Sequence, residues 1–490
     1  MLFVVKLYPE ITIKSRPVRK RMVRMLRKNL RRLLREIGAE VTVAGGWDAI
    51  DIETSSDDEN LLNRVCERLR CTPGIAQFQI VRRHPLQDLD AIVEACLPVY
   101  ADRLAGRTFA VRCKRQGKHP FSSVDVERHV GAALLQQTGA AGVRLKDPDV
   151  TVQLEIRQDF VHVVEQQQPG IGGFPLGAVE PVLSLISGGF DSAVSSYLCI
   201  RRGLLTHYCF FNLGGKAHEL AVKEVALYLW MKFSASHQVL FITVPFEPVV
   251  AEILARVENS QMGVILKRMM MRAASRLADE IHAQALVTGE AVAQVSSQTL
   301  PNLKVIDGVT DKLVLRPLIV SGKQDIIDLA REIGTEQFSS QIPEYCGVIS
   351  DKPTTKARPE RIAREEERFR MDLLDQAVNN AQVQLISQVA EDLANPQQAI
   401  RVETELKPGA ILIDIRHPDE QERAPLYLQQ GADVEVLQVP FYQLQSYMEG
   451  KDPEGDYLLY CDRGMMSRLH GAHLADQGFI NVGVYQPVAA

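Results

Sequence analysis

The sequence predicts a multidomain protein in which small α+β modules precede two α/β domains, and three observations predict this fold class. First, 490 residues are more than one ordinary hydrophobic core accommodates. Second, from Val182 onward apolar runs alternate with helical stretches, which is typical of a Rossmann-like, doubly wound parallel sheet. Third, a glycine-rich stretch at 170–177 precedes this alternation, and a polar segment near Asn395 precedes a second, shorter alternation.

Composition limits the class of protein. The chain is 46% apolar and 24% charged, and no apolar run approaches the roughly 18–20 residues that cross a bilayer. The first residues lack the apolar region and cleavage site of a secretory signal, so we expect a cytoplasmic protein without membrane contact. Eight cysteines are too sparse for a disulfide framework and have no zinc-site spacing. We therefore predict no structural metal and expect any functional cysteine to act as a nucleophile or redox group.

The first predicted module, residues 1–60, contains the strand Phe3–Leu7, a basic helix and two short strands. Between Lys14 and Arg35 there are eleven Lys or Arg residues and no acidic one, and apolar residues recur at helical spacing. The pattern predicts an amphipathic helix whose basic face is either simply solvated or binds a polyanion. The absence of acidic residues favours nucleic acid, with the candidate contacts Arg19, Lys20, Arg24, Arg27, Lys28 and Arg31.

Three further domains follow in the predicted order. Residues 61–165 alternate helices and strands and end in paired strands, which predicts a second α+β module. Residues 175–395 carry the doubly wound sheet, with a charged helix predicted at 358–378. Residues 404–490 restart the strand–helix alternation and are long enough for one small α/β domain.

The sharpest local motif is Ser187-Gly188-Gly189-Phe190-Asp191-Ser192, which lies between a strand and a helix. Two glycines let backbone N–H groups turn toward an anion at a helix amino end, so the motif fits a phosphate-binding loop. The alternative is a tight turn in which Ser or Asp only caps the helix. The spacing is not that of a Walker A loop, which requires GxxxxGK[ST].

This loop resembles the SGGxDS loop of the ATP pyrophosphatase (PP-loop) superfamily, whose members cleave ATP between the α- and β-phosphates. The resemblance implies ATP and Mg²⁺ as cofactors and implies that Asp191 positions Mg²⁺–pyrophosphate. It further implies that the departing phosphates contact Ser187, Gly188, Gly189 and Ser192.

A second motif, Thr288-Gly289-Glu290 followed by Gln294-Val-Ser-Ser-Gln298-Thr, comes directly after an apolar strand. Backbone carbonyls and amide side chains at this position suit an adenine and a ribose. Lys267, near the start of a helix, is placed to neutralise nucleotide phosphates, although a solvated helix lysine is the alternative interpretation.

Together these segments resemble the tRNA 4-thiouridine synthetase (ThiI) family over nearly the whole chain. The segment from Phe109 to Phe121 resembles the signature of a THUMP RNA-binding domain, and residues 1–60 resemble the ferredoxin-like domain that precedes it. The resemblance implies tRNA as the partner, with phosphate contacts in the THUMP domain from Arg112, Lys114, Arg115 and Lys118. It also implies nucleotide contacts from Leu185, Ile186, Lys267, Gly289 and Gln298.

The last domain resembles a rhodanese. Cys461 ends an apolar strand, and the loop that follows contains Arg463 and Gly464 before a helix begins. Loop N–H groups, the helix amino end and Arg463 would stabilise a thiolate or persulfide anion, whereas a lone strand-end cysteine is more often a packed core thiol. For Cys346, spacing alone favours an ordinary buried thiol. The family resemblance instead implies a resolving thiol that forms a disulfide with Cys461.

The resemblance implies an ATP-dependent sulfurtransferase that adenylates O4 of a tRNA uridine, expected to be uridine-8, and replaces the oxygen with persulfide sulfur. A cysteine desulfurase would supply the sulfur, and the same persulfide would serve thiazole synthesis for thiamine through a sulfur-carrier protein. Two alternatives stay open: a PP-loop ligase that does not use Cys461, and a tRNA-binding protein without catalysis. The sequence leaves both a monomer and a homodimer open.

Overall fold

The computed structural model describes the chain except for residues 39, 48, 56–57, 214, 341–351, 390–399, 408, 417, 427–433, 462–463, 465–466, 468–469, 472–473, 476–477 and 488–490. The chain divides into two compact units, Met1–Gly173 (unit 1) and Phe174–Ala490 (unit 2). Among the described residues, no helix has both the length and the apolar character needed to span a membrane.

Unit 1 alternates strands and helices around one mixed sheet. Its elements are β1 (Leu2–Leu7), α1 (Pro9–Thr12), α2 (Arg16–Glu36), β2 (Val41–Gly45), β3 (Ala49–Thr54), α3 (Glu59–Arg70), β4 (Ile75–Pro85), α4 (Leu89–Leu104), β5 (Thr108–Gln116), α5 (Ser123–Gln137), β6 (Gly142–Val143), β7 (Val150–Arg157) and β8 (Phe160–Gly172).

The described strands of unit 1 pair in the order β2-β3-β1-β4-β8-β7-β5-β6. β4 joins the two halves of this sheet, because it pairs antiparallel with β1 on one side and with β8 on the other. The domain boundary predicted at residue 60 is therefore wrong: α3 begins at Glu59, and β4 completes the layer that β1 starts.

The basic helix α2 forms as its sequence pattern predicts. Met22, Leu26, Leu30 and Leu33 are all buried, and they lie on one face because they recur every three or four residues. Pro17 lies in the first turn, where its missing N–H group leaves no helical hydrogen bond unmade, and Gly38 follows the helix with a φ of +74°. The helix is therefore anchored by its apolar face, and most of its cations face solvent.

Unit 2 follows the predicted strand–helix alternation. Its elements are β9 (Val179–Leu185), α6 (Phe190–Arg201), β10 (Leu204–Asn212), α7 (Gly215–Leu229), a π-helical turn (Trp230–Ser234), β11 (Leu240–Pro245), α8 (Glu247–Arg256), α9 (Met262–Glu280), β12 (Ala285–Val287), α10 (Leu300–Asp307), β13 (Leu313–Leu315), α11 (Lys323–Ile333), α12 (Glu336–Ser340), α13 (Pro359–Arg368), α14 (Met371–Asn379), β14 (Gln382–Leu385), β15 (Arg401–Glu403), β16 (Ile411–Asp414), α15 (Pro418–Arg423), β17 (Glu435–Gln438), α16 (Phe441–Met448), β18 (Tyr457–Tyr460) and β19 (Val482–Tyr485), with short 3₁₀ turns at Asn259–Gln261, Ser296–Gln298 and Ile386–Gln388.

The described strands of unit 2 form two sheets. The first has the order β13-β12-β9-β10-β11-β14, and all its strands are parallel except β14 at one edge. The second has the order β15-β19-β18-β16-β17 and is parallel throughout. The chain runs outward from β9 through β10 and β11, then returns to the other side of β9 as β12. This reversal creates a crevice at the carboxyl ends of β9 and β12, where ligands bind in such sheets.

One helix prediction needs correction. The single charged helix expected at 358–378 consists of two helices, α13 and α14, which are separated at Phe369 and Arg370. Phe369 adopts an extended backbone and is buried, and its ring joins the core of the first sheet's domain. The gain from burying an aromatic ring there outweighs the continuity of a solvent-facing helix.

We expect Leu30→Ala to lower the free energy of unfolding by roughly 2–5 kcal/mol, because Leu30 is fully buried beneath α2 and its loss leaves a cavity. Urea denaturation followed by circular dichroism measures this. Arg21→Ala on the exposed face of the same helix is the matched control, with an expected change within about 0.5 kcal/mol. Equal losses for the two variants would contradict the packing described for α2.

Candidate functional site

The Ser187–Ser192 loop forms a turn between β9 and α6. Gly188 has a φ of +83°, which a residue with a side chain rarely adopts, and Gly189 caps the helix. The Ser192 hydroxyl accepts a hydrogen bond from the Ser187 N–H at 3.2 Å and donates to the Gly189 carbonyl at 3.0 Å. These hydrogen bonds join the start and the end of the loop. The amino end of α6 points its backbone N–H groups into the crevice.

Gly289 brings the loop after β12 against the phosphate loop. A Cβ atom at Gly289 would lie 2.6 Å from the carbonyl carbon of Asp191 and 2.8 Å from the Ser192 nitrogen. No side chain fits at that distance, so only glycine lets the two loops touch. The contact lies at the β9/β12 reversal, which is where the topology predicts a ligand site.

A cavity of about 270 Å³ opens at this contact. Its walls contain most of the residues that the sequence predicts for nucleotide binding: Leu185, Ile186, Ser187, Gly189, Asp191, Ser192, Lys267, Gly289 and Gln298. Gly188 lies in the same loop, and its carbonyl accepts a hydrogen bond from the Ser339 hydroxyl at 2.8 Å. The structure therefore brings together residues that are more than a hundred positions apart in the chain.

Asp191 has two partners that sequence reasoning missed. Lys323 Nζ lies 2.9 and 3.2 Å from its carboxylate oxygens, and Gln294 Nε2 donates to Oδ2 at 2.7 Å. Lys323 opens α11 after the neighbouring strand β13, so the parallel topology could have suggested it as a residue at the same sheet edge. A cation beside the phosphate loop adds a group that suits a negatively charged ligand.

Lys267 belongs to a buried ion network, again largely unpredicted. Its Nζ lies 2.7 Å from Glu290, which also accepts hydrogen bonds from Arg316 at 2.8 Å and from Thr288 at 3.0 Å. Arg316 in turn contacts both oxygens of Asp307 at 2.6 and 2.9 Å. Burial disfavours the charged Glu290, but Lys267 and Arg316 outweigh it and lower the pKa of this carboxyl group to about 2. The network fixes Lys267 at the cavity wall.

The cavity fits an adenine nucleotide. Apolar side chains, among them Phe210, Phe211 and Met270, also line the cavity and offer a surface for a flat base. Gln298 is 8% exposed, and its buried Oε1 has no hydrogen-bond partner among the residues that the structure describes, so an acceptor is available to a ligand amine. The same lining supplies glycines, hydroxyls and cations for phosphates.

Asn302 is another residue that the sequence analysis missed. Its side chain is fully buried, donates to the carbonyls of Ser296 and Thr354 at 2.8 Å, and accepts from the Ala357 N–H at 2.8 Å. It therefore ties the turn that carries Gln298 to the segment whose Pro353 also lines the cavity. Three satisfied hydrogen bonds from one buried amide fix both walls.

Cys461 lies at the carboxyl end of β18 and is 5% exposed. The backbone N–H of Ser467 points at its sulfur at 3.4 Å, and the Gly464 N–H donates to the Cys461 carbonyl at 3.1 Å. Gly464 has a φ of +70°, which turns the loop back toward the sulfur. An N–H group aimed at sulfur stabilises a thiolate or persulfide.

Most of the other described cysteines have an environment that opposes reactivity. Burial raises the pKa of Cys66 and Cys113 to about 11 and that of Cys96 and Cys199 to about 12, and it also raises the pKa of Cys209. These thiols stay protonated at neutral pH, as expected for core residues. The predicted residues Arg463 and Cys346 lie outside the described part of the chain.

The predicted basic surface of α2 needs one revision. Lys20, Arg24, Lys28 and Arg31 are exposed and Arg27 is half-buried. Arg19 is only 7% exposed, because its guanidinium donates to the backbone carbonyls of Thr12 and Trp47. A buried guanidinium that is held by backbone groups does not suit a phosphate contact, so we assign Arg19 a structural role.

The predicted basic residues of β5 follow strand alternation. Arg112 and Lys114 are exposed, whereas Val111 before them and Cys113 between them are buried. Lys118 is exposed in the loop that follows. The half-buried Arg115 donates to the Gly117 carbonyl and contacts His119 Nδ1, both at 3.2 Å, so its first role is to shape this loop.

Three parts of the chain match known families. Residues 177–371 match the family described as thiamine biosynthesis protein (ThiI), residues 87–164 the THUMP domain, and residues 3–79 the ThiI ferredoxin-like domain.

Full-length relatives agree with these matches. The chain is 55% identical to the tRNA sulfurtransferases of Azotobacter vinelandii and of Pseudomonas aeruginosa strain UCBPP-PA14, over 99% of this chain and 100% of each relative. Among solved structures it is similar to a 4-thiouridine synthetase in complex with RNA and bound ATP. That match has a TM-score of 0.69 and 26% identity, and it covers 78% of this chain and 99% of the other.

We expect Glu290→Gln to lower the free energy of unfolding by about 3 kcal/mol at pH 7, because Lys267 and Arg316 lose a buried anionic partner. The folded-state pKa is below the unfolded value, so the wild-type advantage is present above about pH 4.5 and declines as the pH falls toward 2. Urea denaturation between pH 7 and pH 3 measures this. Glu180→Gln, at an exposed position on β9, is the control. A difference that grows on acidification would contradict the assignment.

Proposed function

The chain belongs to the ThiI family of tRNA sulfurtransferases, and on this premise we propose that it uses ATP to convert a tRNA uridine, uridine-8, to 4-thiouridine. One observation carries the proposal: a single cavity contains the Ser187–Ser192 loop, Lys267 and Gln298, which together suit the phosphates and the base of ATP. The similar 4-thiouridine synthetase that was solved with RNA and ATP supports both ligands.

In the first step, O4 of the uridine attacks the α-phosphorus of ATP, pyrophosphate leaves, and AMP stays on O4. Negative charge develops on the departing pyrophosphate at the amino end of α6. There the loop N–H groups and Lys323 stabilise it, and Lys267, which also lines the cavity, neutralises the nucleotide. Adenylation is required because an unactivated carbonyl oxygen leaves poorly.

Mg²⁺ fits this site through Asp191. Within the described ranges no group of three or more His, Cys, Asp or Glu side chains is placed to hold a metal. One carboxylate at the cavity wall nevertheless matches the usual pattern, in which Mg²⁺ is held by one or two carboxylates and by substrate phosphates. The ion would offset charge on pyrophosphate, and Lys323 and Gln294 keep Asp191 oriented toward the cavity.

In the second step, sulfur arrives as a persulfide on Cys461, within a rhodanese domain at residues 404–490. The terminal sulfur attacks C4 and AMP leaves with the former O4. Cys346 then attacks Cys461 Sγ, which releases the thiouridine and forms a Cys346–Cys461 disulfide. In the alternative order, Cys346 attacks the persulfide first and the freed hydrosulfide attacks C4. Either order balances with one persulfide consumed and one disulfide formed, which a thiol reductant must reopen.

The partners follow from this chemistry. A cysteine desulfurase supplies the sulfane sulfur, and tRNA contacts Lys20, Arg24, Lys28, Arg112 and Lys114, which are exposed cations on α2 and β5. The name of the matching family, thiamine biosynthesis protein, supports a second use of the persulfide in making the thiazole of thiamine. Both processes place the protein in the cytoplasm.

We expect Cys461→Ser to abolish 4-thiouridine formation and to leave the affinity for ATP within about twofold, because the sulfur carrier is lost and the nucleotide cavity is intact. The assay incubates protein, bulk tRNA, MgATP, cysteine and a desulfurase and follows near-ultraviolet absorbance of the product. Cys96→Ala is the control, a buried thiol of α4. Full activity of Cys461→Ser would identify a PP-loop enzyme that does not use this thiol.

We expect Asp191→Ala to lower the thiolation rate by at least about a hundredfold, because the group that holds Mg²⁺–pyrophosphate is removed. The affinity for tRNA should stay unchanged, since the basic residues of unit 1 are untouched. Asp328→Ala is the control, an exposed carboxylate on α11. A variant that retains the wild-type rate would favour a chain that only binds RNA.

A further inference from the structure

Trp47 lies exposed at the tip of the β2–β3 hairpin. Its side chain is 46% accessible, whereas the only other tryptophan of the chain, Trp230, is 7% accessible. The turn before it is tight: Gly45 has a φ of +92°, and a Cβ atom there would lie 2.7 Å from the Ala49 carbonyl oxygen. The hairpin thus presents a large aromatic ring that no described core residue covers.

The Arg19 guanidinium packs against one face of the Trp47 ring. Its guanidinium carbon lies 4.2 Å from the centre of the Trp47 ring, and the guanidinium donates to the carbonyls of Trp47 and Thr12. Because the buried guanidinium covers one face of the indole, the exposed area must belong to the other face and the ring edge. The ring is therefore fixed in orientation with one face toward solvent.

The surroundings of Trp47 are basic. Arg27 and Arg31 of α2 both donate to the Val43 carbonyl, so α2 runs along β2, the strand that leads to Trp47. The exposed cations Lys20 and Arg24 follow Arg19 on the same helix, which contains no acidic residue before Glu36. An apolar protein partner would leave these cations unpaired, whereas a nucleic acid supplies both phosphates and aromatic faces.

We propose that Trp47 is a stacking platform for an unpaired RNA base, and that Arg19 is the positioning residue that orients it. Base stacking on an aromatic ring requires one free face, and flanking cations bind the adjoining phosphates. This inference rests on the proposed function only in that the chain binds RNA. It assigns a specific contact to a residue that neither the basic pattern nor the nucleotide site involves.

The test measures binding of an unstructured oligoadenylate of about six nucleotides and of a blunt RNA duplex by tryptophan fluorescence and by anisotropy of labelled RNA. The proteins are wild type, Trp47→Leu and Trp47→Phe. Leucine preserves apolar contact with Arg19 but lacks a π face, and phenylalanine restores one. We expect oligoadenylate to quench the fluorescence of wild type, and its affinity to fall about tenfold in Trp47→Leu and less in Trp47→Phe. Duplex affinity should change little.

Two results would overturn the proposal. If Trp47→Leu binds oligoadenylate as wild type does, while Arg24→Glu weakens binding, α2 contacts phosphates without base stacking. If RNA affinity is unchanged but sulfur loading by the desulfurase falls, Trp47 is a protein contact. Failure of wild type to bind any tRNA would instead refute RNA binding under the proposed function. Circular dichroism of each variant establishes that it is folded.

Discussion

The nucleotide cavity depends on one close approach, that of Gly289 to the backbone of Asp191 and Ser192. At a separation that leaves no room for a Cβ atom, the loop after β12 lies directly on the phosphate loop after β9. This contact places Glu290, the next residue, at the cavity wall, and with it the ends of Lys267 and Arg316. A larger residue at 289 would separate the two loops and move the base-binding wall away from the phosphate-binding end.

Charge balance explains why the cavity suits a polyanionic substrate without being unstable when empty. Lys267 and Arg316 face Glu290, and Arg316 also faces Asp307, so two cations and two anions neutralise one another in a largely buried place. Lys323 and Asp191 form a second neutral pair at the phosphate end. Buried charges are tolerated only when they are paired and hydrogen-bonded. Bound phosphates would pair with the cations of these pairs, and Mg²⁺ would pair with the carboxylates. The site therefore need not hold unpaired cations before the ligand binds.

The sequence predicts features that depend on residues close together in the chain. It misses features that depend on contacts between residues distant in the chain. The phosphate loop, Gly289, Gln298 and Cys461 are predicted as site residues because each belongs to a short motif that follows a strand. Lys323, Arg316 and Asn302 were missed, because their roles exist only through contacts with residues that lie distant in the sequence. The boundary at residue 60 failed for the same reason, since β4 pairs with β1 across the chain. Arg19 is a different case. It lies three, seven and eleven residues before the buried Met22, Leu26 and Leu30, so helical periodicity would have assigned it to the apolar face, although the basic pattern made it a candidate phosphate contact.

The same cavity also indicates how activation and sulfur delivery are divided. None of the described residues that line it is a cysteine, and burial keeps thiols such as Cys199 and Cys209 protonated. Under the proposed mechanism, the sulfur nucleophile would therefore reach the activated uridine from outside this wall. Cys461 differs from the buried core thiols, because it follows a strand end in a loop with an N–H group aimed at its sulfur. Under the proposed mechanism, a persulfide on Cys461, which is not among the described residues that line the cavity, would not compete with the uridine oxygen for ATP, so adenylation would precede sulfur transfer.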